Sequence, residues 1–153
     1  MERQIFNLVQ YLSEAQRLEQ QGELIEAIWC YETILRDPLA AQDPQIHQAA
    51  GLGLGLLLMG EARVNEEPGR TKRLLTRAIS ALTATNRIEP QDNLLILALA
   101  EAHVMRFQLT DQPQDLLAAN LLLDQFGQTP PTEPTISEKA SQLRLMLAKP
   151  APP

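Results

Sequence analysis

The segment ELIEAIWCYETILRDP, residues 23–38, carries a clear helical signal. Ala27, Tyr31 and Ile34 recur at i, i+4 and i+7, so they share one face of an α-helix. The alanine leaves room for a neighbouring helix, and the two larger residues fill the space between them. A glycine precedes the segment and a proline closes it, because the residue before a proline disfavours the helical region. The segment is therefore predicted to be the second helix of a helical hairpin.

The composition favours a single helical domain. The chain has 153 residues, of which 44% are hydrophobic and only 4% aromatic, so the core must be aliphatic. Leucine and alanine dominate and runs of β-branched residues are absent, which favours helix over strand. The formal net charge of −6 argues against nucleic acid as a partner, because nucleic-acid binding depends on a Lys/Arg surface.

The chain is expected to be a cytoplasmic protein. Cys30 is its only cysteine, so no internal disulfide can form and a reducing compartment suits it. The first residues lack the apolar core of a signal peptide. The longest apolar stretch, 49–60, is too short to span a bilayer. Low lysine with abundant arginine, glutamine and proline is typical of a bacterial source.

Helical patterns along the chain predict three hairpins and a terminal helix, with no strand. The hairpins are expected at about 4–38, 43–90 and 92–127, the terminal helix at 135–148 and a proline-rich tail at 149–153. Asp43 and Asp92 are predicted N-caps. Thr135 and Glu138 have the spacing of a capping box.

The face of the first segment recurs twice, each time as a small residue followed by larger ones and then a proline. The three sets are Ala27, Tyr31, Ile34 and Pro38; Ala78, Leu82, Thr85 and Pro90; and Ala119, Leu123, Phe126 and Pro131. The second and third units are longer than the first. Their extra residues are expected between the two helices of a pair, at 61–73 and 108–115.

This pattern resembles the tetratricopeptide repeat family, whose unit is about 34 residues long. The best-matching unit contains Tyr11, Ala15, Leu18, Gly22, Ala27, Tyr31 and Pro38. The resemblance implies an all-α solenoid of about three stacked antiparallel helix pairs with a C-terminal capping helix. It also implies that the first helices of the pairs line a concave, partner-binding groove. The alternative is a generic α-helical bundle.

The resemblance assigns groove-facing positions to each first helix. They are Leu12, Ser13, Gln16 and Gln20; then His47, Leu54, Leu57 and Leu58; then Leu97, Glu101 and Met105. Such a groove would suit an amphipathic or hydrophobic peptide anchored on the three leucines of the second helix. It would not clamp a terminal carboxylate, because none of these positions is lysine or arginine. In the alternative interpretation the leucines are covered, for example by the terminal helix.

Two further motifs have competing interpretations. Arg70, Arg73 and Arg77 share one helix face, which is either a docking patch for an acidic partner or a solvated face balanced by Glu61, Glu66 and Glu67. The run GLGLG at 51–55 lacks the strand and flanking residues of a phosphate-binding loop. Its glycines are instead expected to allow close helix approach, above all at Gly53.

No catalytic or metal-binding motif is present. His47 and His103 have no paired ligand at metal-binding spacing, and Cys30 is expected to be a buried apolar residue. No nucleophile–base signature occurs. We therefore expect no cofactor and a non-enzymatic interaction module: an adaptor, assembly factor or chaperone that binds another protein. The alternatives are a structural subunit of a larger complex and a helical enzyme whose site the sequence does not reveal.

Overall fold

The computed structural model describes residues 2–88, 92–128 and 134–148, and all its regular structure is helical. The eight helices within these residues are α1 (Glu2–Gln20), α2 (Leu24–Arg36), α3 (Pro38–Gln42), α4 (Pro44–Val64), α5 (Pro68–Ile88), α6 (Asn93–Thr110), α7 (Pro113–Gln128) and α8 (Pro134–Ala148). The prediction of an all-α protein is confirmed. Pro90, Pro131 and the tail 149–153 lie outside the described residues, as do the side chains of Phe126 and Thr135.

Neighbouring helices contact each other in a regular order. α1 packs on α2, α4 on α5, and α6 on α7, while α2 also contacts α4 and α5 contacts α6. Each of the three pairs is joined by a connection of two or three residues, so the paired helices run antiparallel. The last helix, α8, packs on α6 and α7.

The predicted inward faces are buried. Ala27 and Ile34 are fully inaccessible to solvent and Tyr31 is 2% exposed. The recurring faces on α5 and α7 are buried in the same way: Ala78, Leu82, Thr85, Ala119 and Leu123. Cys30 is also buried, as predicted, and burial raises the pKa of its thiol.

The glycines of 51–55 place α4 close to two other helices. A Cβ atom at Gly53 would lie 2.7 Å from Cζ of Tyr31 on α2. A Cβ at Gly55 would lie 2.5 Å from Cγ of Leu82 on α5, and one at Gly51 would overlap Thr85. The predicted close approach is therefore confirmed, and α4 is held between α2 and α5.

Specific residues define the ends of the helices. Gly22, at φ +79°, ends α1 in a Schellman motif, in which its N–H and that of Glu23 donate to the carbonyls of Glu19 and Leu18. Asp43 and Asp92 cap α4 and α6 as predicted, accepting from the N–H groups of Ile46 and Leu95.

The structure differs from the predicted boundaries at several prolines. Pro38 ends α2 but also begins α3, because the Asp37 carboxylate accepts from Leu39 N–H and caps this short helix. Pro68 and Pro113 likewise begin helices, so most of the extra length of the second and third units is helical rather than looped. α8 begins at Pro134, one residue before the predicted start, and the predicted capping box of Thr135 and Glu138 rests on the Thr135 side chain, which lies outside the described residues.

Candidate partner-binding surface

The exposed side of α1 is a polar stripe. Ser13, Gln16 and Gln20 are exposed, and Val9, on the same helix face, is 45% exposed. Leu12, which was assigned to the same surface, is instead partly buried and packs against the core. Ser13, Gln16 and Gln20 are therefore at the surface, and Leu12 is not part of their stripe.

The apolar patch expected on α4 is inside the protein. Leu54 is 4% exposed and Leu58 is fully buried, while Leu57 is only partly buried. These side chains belong to the core because Gly51 and Gly55 allow α5 to pack closely against the same side of α4. The expectation of an open patch formed by the three leucines is therefore wrong.

A different stripe of α4 faces outward. Leu56 is 47% exposed, and Leu52 and Ala49, on the same face, are half-buried. A Cβ at Gly60 would meet nothing within 4 Å, so the backbone itself is accessible there. One polar residue of the sequence indicates which side of α4 faces outward. Arg63 follows Leu56 by seven residues and shares its helix face, so that side is expected to face solvent.

His47, also assigned to the groove, is a core residue. Its side chain is buried, and Nδ1 lies 3.3 Å from the hydroxyl of Thr85 on α5. Burial lowers the pKa of the imidazole because the charged form loses its hydration. His47 therefore links α4 to α5 and is not available to a partner.

Glu101 joins three helices at the surface. Its carboxylate accepts from Arg63 Nη2 of α4 at 2.6 Å and from Lys139 Nζ of α8 at 3.1 Å. We call this group the Arg63–Glu101–Lys139 network. The Glu101 side chain is 16% exposed, and Met105, one turn further along α6, is half-buried. Leu97, one turn earlier, is 9% exposed and belongs to the core.

Two contacts fix the relative direction of α4 and α6. Gln48, near the start of α4, donates to Asp92 at the start of α6, and Arg63, near the end of α4, reaches Glu101 further along α6. The two helices therefore run in the same direction.

The basic face of α5 is only partly paired. Arg77 forms an ion pair with Glu32 of α2, a residue that the sequence did not suggest as its partner. Arg70 and Arg73 are exposed, and no ion pair within the described residues includes them. α5 contains five basic residues and no acidic residue. The surface that it presents to solvent is therefore positive in a chain that is negative overall.

A buried carboxylate links α6 to α7. Asp115 is 2% exposed and accepts from both Nε and Nη2 of Arg106, at 2.9 Å and 2.8 Å, while Nδ1 of His103 lies 2.8 Å from it. Burial raises the pKa of Asp115, but Arg106 and His103 outweigh this effect and hold the pKa below its usual range. The sequence analysis did not find this partner of His103, because Asp115 belongs to the next helix.

The contacts of Asp115 with Arg106 and His103 have a structural role, because they connect helices. Arg106 also donates from Nη1 to the hydroxyl of Thr76 at 3.2 Å, so α5 is connected to the same carboxylate. Its hydrogen bonds hold together the region where the α6–α7 connection meets α5. A sequence signal exists in retrospect, because His103 and Arg106 share a helix face three residues apart.

Within the described residues, no three His, Cys, Asp or Glu side chains are placed to bind one metal ion. In the same part of the chain, no helix combines the length and hydropathy needed to cross a bilayer. No protein-family model matches the chain, and no match was found among curated proteins or solved structures.

Proposed function

We propose that this chain is a non-enzymatic protein–protein interaction module, built as a tetratricopeptide-like α-solenoid, in which α1, α4 and α6 form the partner-binding face. The order of helix contacts supports the solenoid, since the second helix of one pair packs on the first helix of the next. The parallel course of α4 and α6 supports it too, because equivalent helices of stacked repeats run in the same direction. The module would act as an adaptor, assembly factor or chaperone in the cytoplasm.

The observation that carries the proposal is the outward stripe of α4, formed by Ala49, Leu52, Leu56 and Gly60. The stripe is apolar and has small residues at both ends, and its exposed member, Leu56, is 47% accessible. The polar stripe of α1 lies on a helix that contacts α4, and the Arg63–Glu101–Lys139 network links α4 to α6 and α8. This arrangement fits a partner helix or extended segment with apolar anchors and polar flanks.

The test compares two exposed leucines on different faces. Leu56→Arg places a charge on the stripe, and Leu121→Arg places the same charge on α7, where Leu121 is 58% exposed. Tagged forms of both variants and of the natural chain are purified from the source cell with their bound proteins. We expect a partner to be recovered with the natural chain and with Leu121→Arg but lost with Leu56→Arg. Equal recovery with both variants would contradict the proposal, provided that their melting temperatures agree.

A second candidate function is a structural subunit of a larger complex, docked through α5. The guanidinium groups of Arg70 and Arg73, which are exposed and form no ion pair within the described residues, favour it, since arginine pairs well with acidic surfaces. The variant Arg70→Glu/Arg73→Glu tests it without disturbing the Arg77–Glu32 pair. A stable complex of fixed stoichiometry on size-exclusion chromatography, abolished by this variant, would favour the subunit over the groove.

A further inference from the structure

A small cleft lies where α5 meets the connection between α6 and α7. Its volume is about 290 Å³, and its lining residues are all polar or charged: Lys72, Arg106, Thr110, Gln112, Gln114 and Asp115. This volume is at the lower end of the range for ligand sites, so the cleft fits one small polar group rather than a whole cofactor. The outward stripe of α4 contributes no residue to the lining, so the cleft is a separate place on the protein.

Lys72 gives the cleft a positive charge that the described residues do not neutralise. Its side chain is exposed and forms no ion pair or hydrogen bond with them. Among the described basic side chains, those without an ion pair or a hydrogen bond all lie on α5, and they are Arg70, Lys72, Arg73 and Arg87. Of this group, Lys72 is the member that lines the cleft.

Arg106 is the second cation of the lining. Its Nε and Nη2 donate to Asp115, and its Nη1 donates to Thr76. Nη1 and Nη2 each carry a second N–H, which has no partner within the described residues. Asp115 is the one carboxylate of the described lining and is only 2% exposed, because it faces Arg106 and His103. Two cations and one buried carboxylate leave the lining positive in a chain whose net charge is −6.

The other lining residues add neutral donors. Gln112 and Gln114 are exposed, and their side-chain amides form no hydrogen bond within the described residues. The Thr110 hydroxyl donates to the Arg106 carbonyl at 2.9 Å, so that this carbonyl already has a partner. Because α6 ends and α7 begins beside the cleft, the dipoles of the two helices oppose each other there. The side chains therefore determine which charge the cleft prefers, and they favour an anion.

The geometry of the donors indicates which anion fits. A carboxylate is planar and pairs best with the fork of a guanidinium group, but the fork of Arg106 is occupied by Asp115. The remaining donors are an ammonium group, single N–H groups and amides, and they come from α5, α6 and the α6–α7 connection. Donors that converge from several elements suit a tetrahedral group, and lysine is a common phosphate ligand because it acts as a point charge.

We infer that this cleft is a binding site for a phosphate group. Lys72 neutralises part of its charge, and Arg106, Gln112 and Gln114 donate hydrogen bonds to its oxygens. The ligand chemistry is that of a phosphate monoester, which is either a small metabolite or a phosphorylated side chain of a partner protein. The inference does not depend on the proposed function, since the outward stripe of α4 takes no part in it.

The first test is a titration of the full ¹⁵N-labelled chain with inorganic phosphate at constant ionic strength. Two-dimensional NMR follows the side-chain amide signals of Gln112 and Gln114. We expect these signals to shift with a Kd of about 1 mM, equivalent to about −4 kcal/mol, and acetate, a planar anion, to bind at least about tenfold more weakly. Signals that do not move in the presence of phosphate, or equal binding of acetate, would overturn the inference.

A matched pair of variants separates the cleft from general attraction to the positive surface of α5. Lys72→Gln and Arg87→Gln each remove one charge from an exposed position of this helix, but Arg87 is not part of the lining. Lys72→Gln should weaken phosphate binding about tenfold, and Arg87→Gln should leave it unchanged. Equal weakening by the two variants would overturn the inference. Arg106 is left intact because it holds Asp115, and thermal unfolding checks that both variants are folded.

A final comparison identifies the source of the phosphate. Glycerol phosphate, a short phosphoserine peptide and the same peptide without phosphate are titrated into the natural chain and into Lys72→Gln. Binding of the phosphopeptide about tenfold more tightly than glycerol phosphate supports the site and assigns it to a phosphorylated partner. Equal affinities support the site and assign it to a small metabolite. Equal binding of the two peptides would overturn the inference, because the phosphate group would then contribute nothing.

Discussion

Two glycines of α4 give a matched test of how closely the helices pack. Gly55 lies against Leu82, where an added Cβ would be 2.5 Å from Cγ and Cδ2 and 2.9 Å from Cδ1. Leu82 is fully buried, so it cannot rotate away into solvent. Gly60 belongs to the same helix, but an added Cβ there meets nothing within 4 Å. Substitution by alanine should therefore have opposite effects at the two positions.

The size of each effect follows from two opposing terms. Alanine is favoured over glycine in a helix interior by about 1 kcal/mol. Overpacking a core costs about 1–3 kcal/mol, and contact with the branching carbon of a leucine places Gly55→Ala in the upper half of that range. The net loss for Gly55→Ala is about 1–2 kcal/mol, which lowers Tm by about 2–8 °C in a protein of this size. Gly60→Ala should gain about 1 kcal/mol and raise Tm by about 2–4 °C.

Thermal and urea unfolding, followed by circular dichroism, measure both variants against the natural chain. Equal slopes of unfolding free energy against urea would show that the substitutions change stability without changing the surface exposed on unfolding. If Gly55→Ala were stabilised as much as Gly60→Ala, α4 and α5 would not approach at this glycine. The explanation given for the buried register of α4 would then fail.

Three further predictions concern the helix ends and the buried carboxylate. Gly22→Ala should lower the unfolding free energy by about 1 kcal/mol, measured by urea unfolding, because the left-handed φ of +79° strains any L-residue. Asp111→Gly should raise the unfolding free energy by up to about 1 kcal/mol in the same assay, because Asp111 ends α6 at φ 60°. Asp115→Ala should lower Tm, with a loss of about 2–3 kcal/mol, because it leaves Arg106 and His103 without their carboxylate. The pKa of Asp115 is lowered in the folded state, so its carboxylate stabilises the protein above about pH 4. This stabilisation is lost as the pH falls through the folded-state pKa. The unfolding free energy of Asp115→Ala should therefore depend less steeply on pH in the acid range than that of the natural chain.

The sequence predicted those features that depend on local chemistry. Asp43 and Asp92 could be recognised as N-caps because a carboxylate just before a helical segment has few other roles. The faces of α2 and α5 could be recognised because their apolar residues occupy one side only, with polar residues on the other. Such features need no knowledge of what the helix packs against.

The sequence could not predict pairings that depend on the arrangement of helices. Arg77 meets Glu32 across α2 and α5, and the two residues are 45 positions apart. His103 meets Asp115 only because the α6–α7 connection consists of residues 111–112. The predicted connection, residues 108–115, was longer and included Asp115, which hid the contact.

The prediction of which side of α4 faces outward was wrong for a different reason, and that reason bears on function. α4 has leucines on nearly every side, so apolar periodicity alone does not distinguish its inner from its outer face. The glycines make the distinction, because Gly51 and Gly55 admit α5 on one side while Gly53 admits Tyr31 of α2 on another. Between these contacts one sector remains open, and Leu56 lies in it. The close approach that removes Leu54 from the surface thus also leaves Leu56 exposed. Helix packing and the candidate binding stripe therefore depend on the same three glycines, so a substitution at Gly55 should disturb partner binding as well as stability.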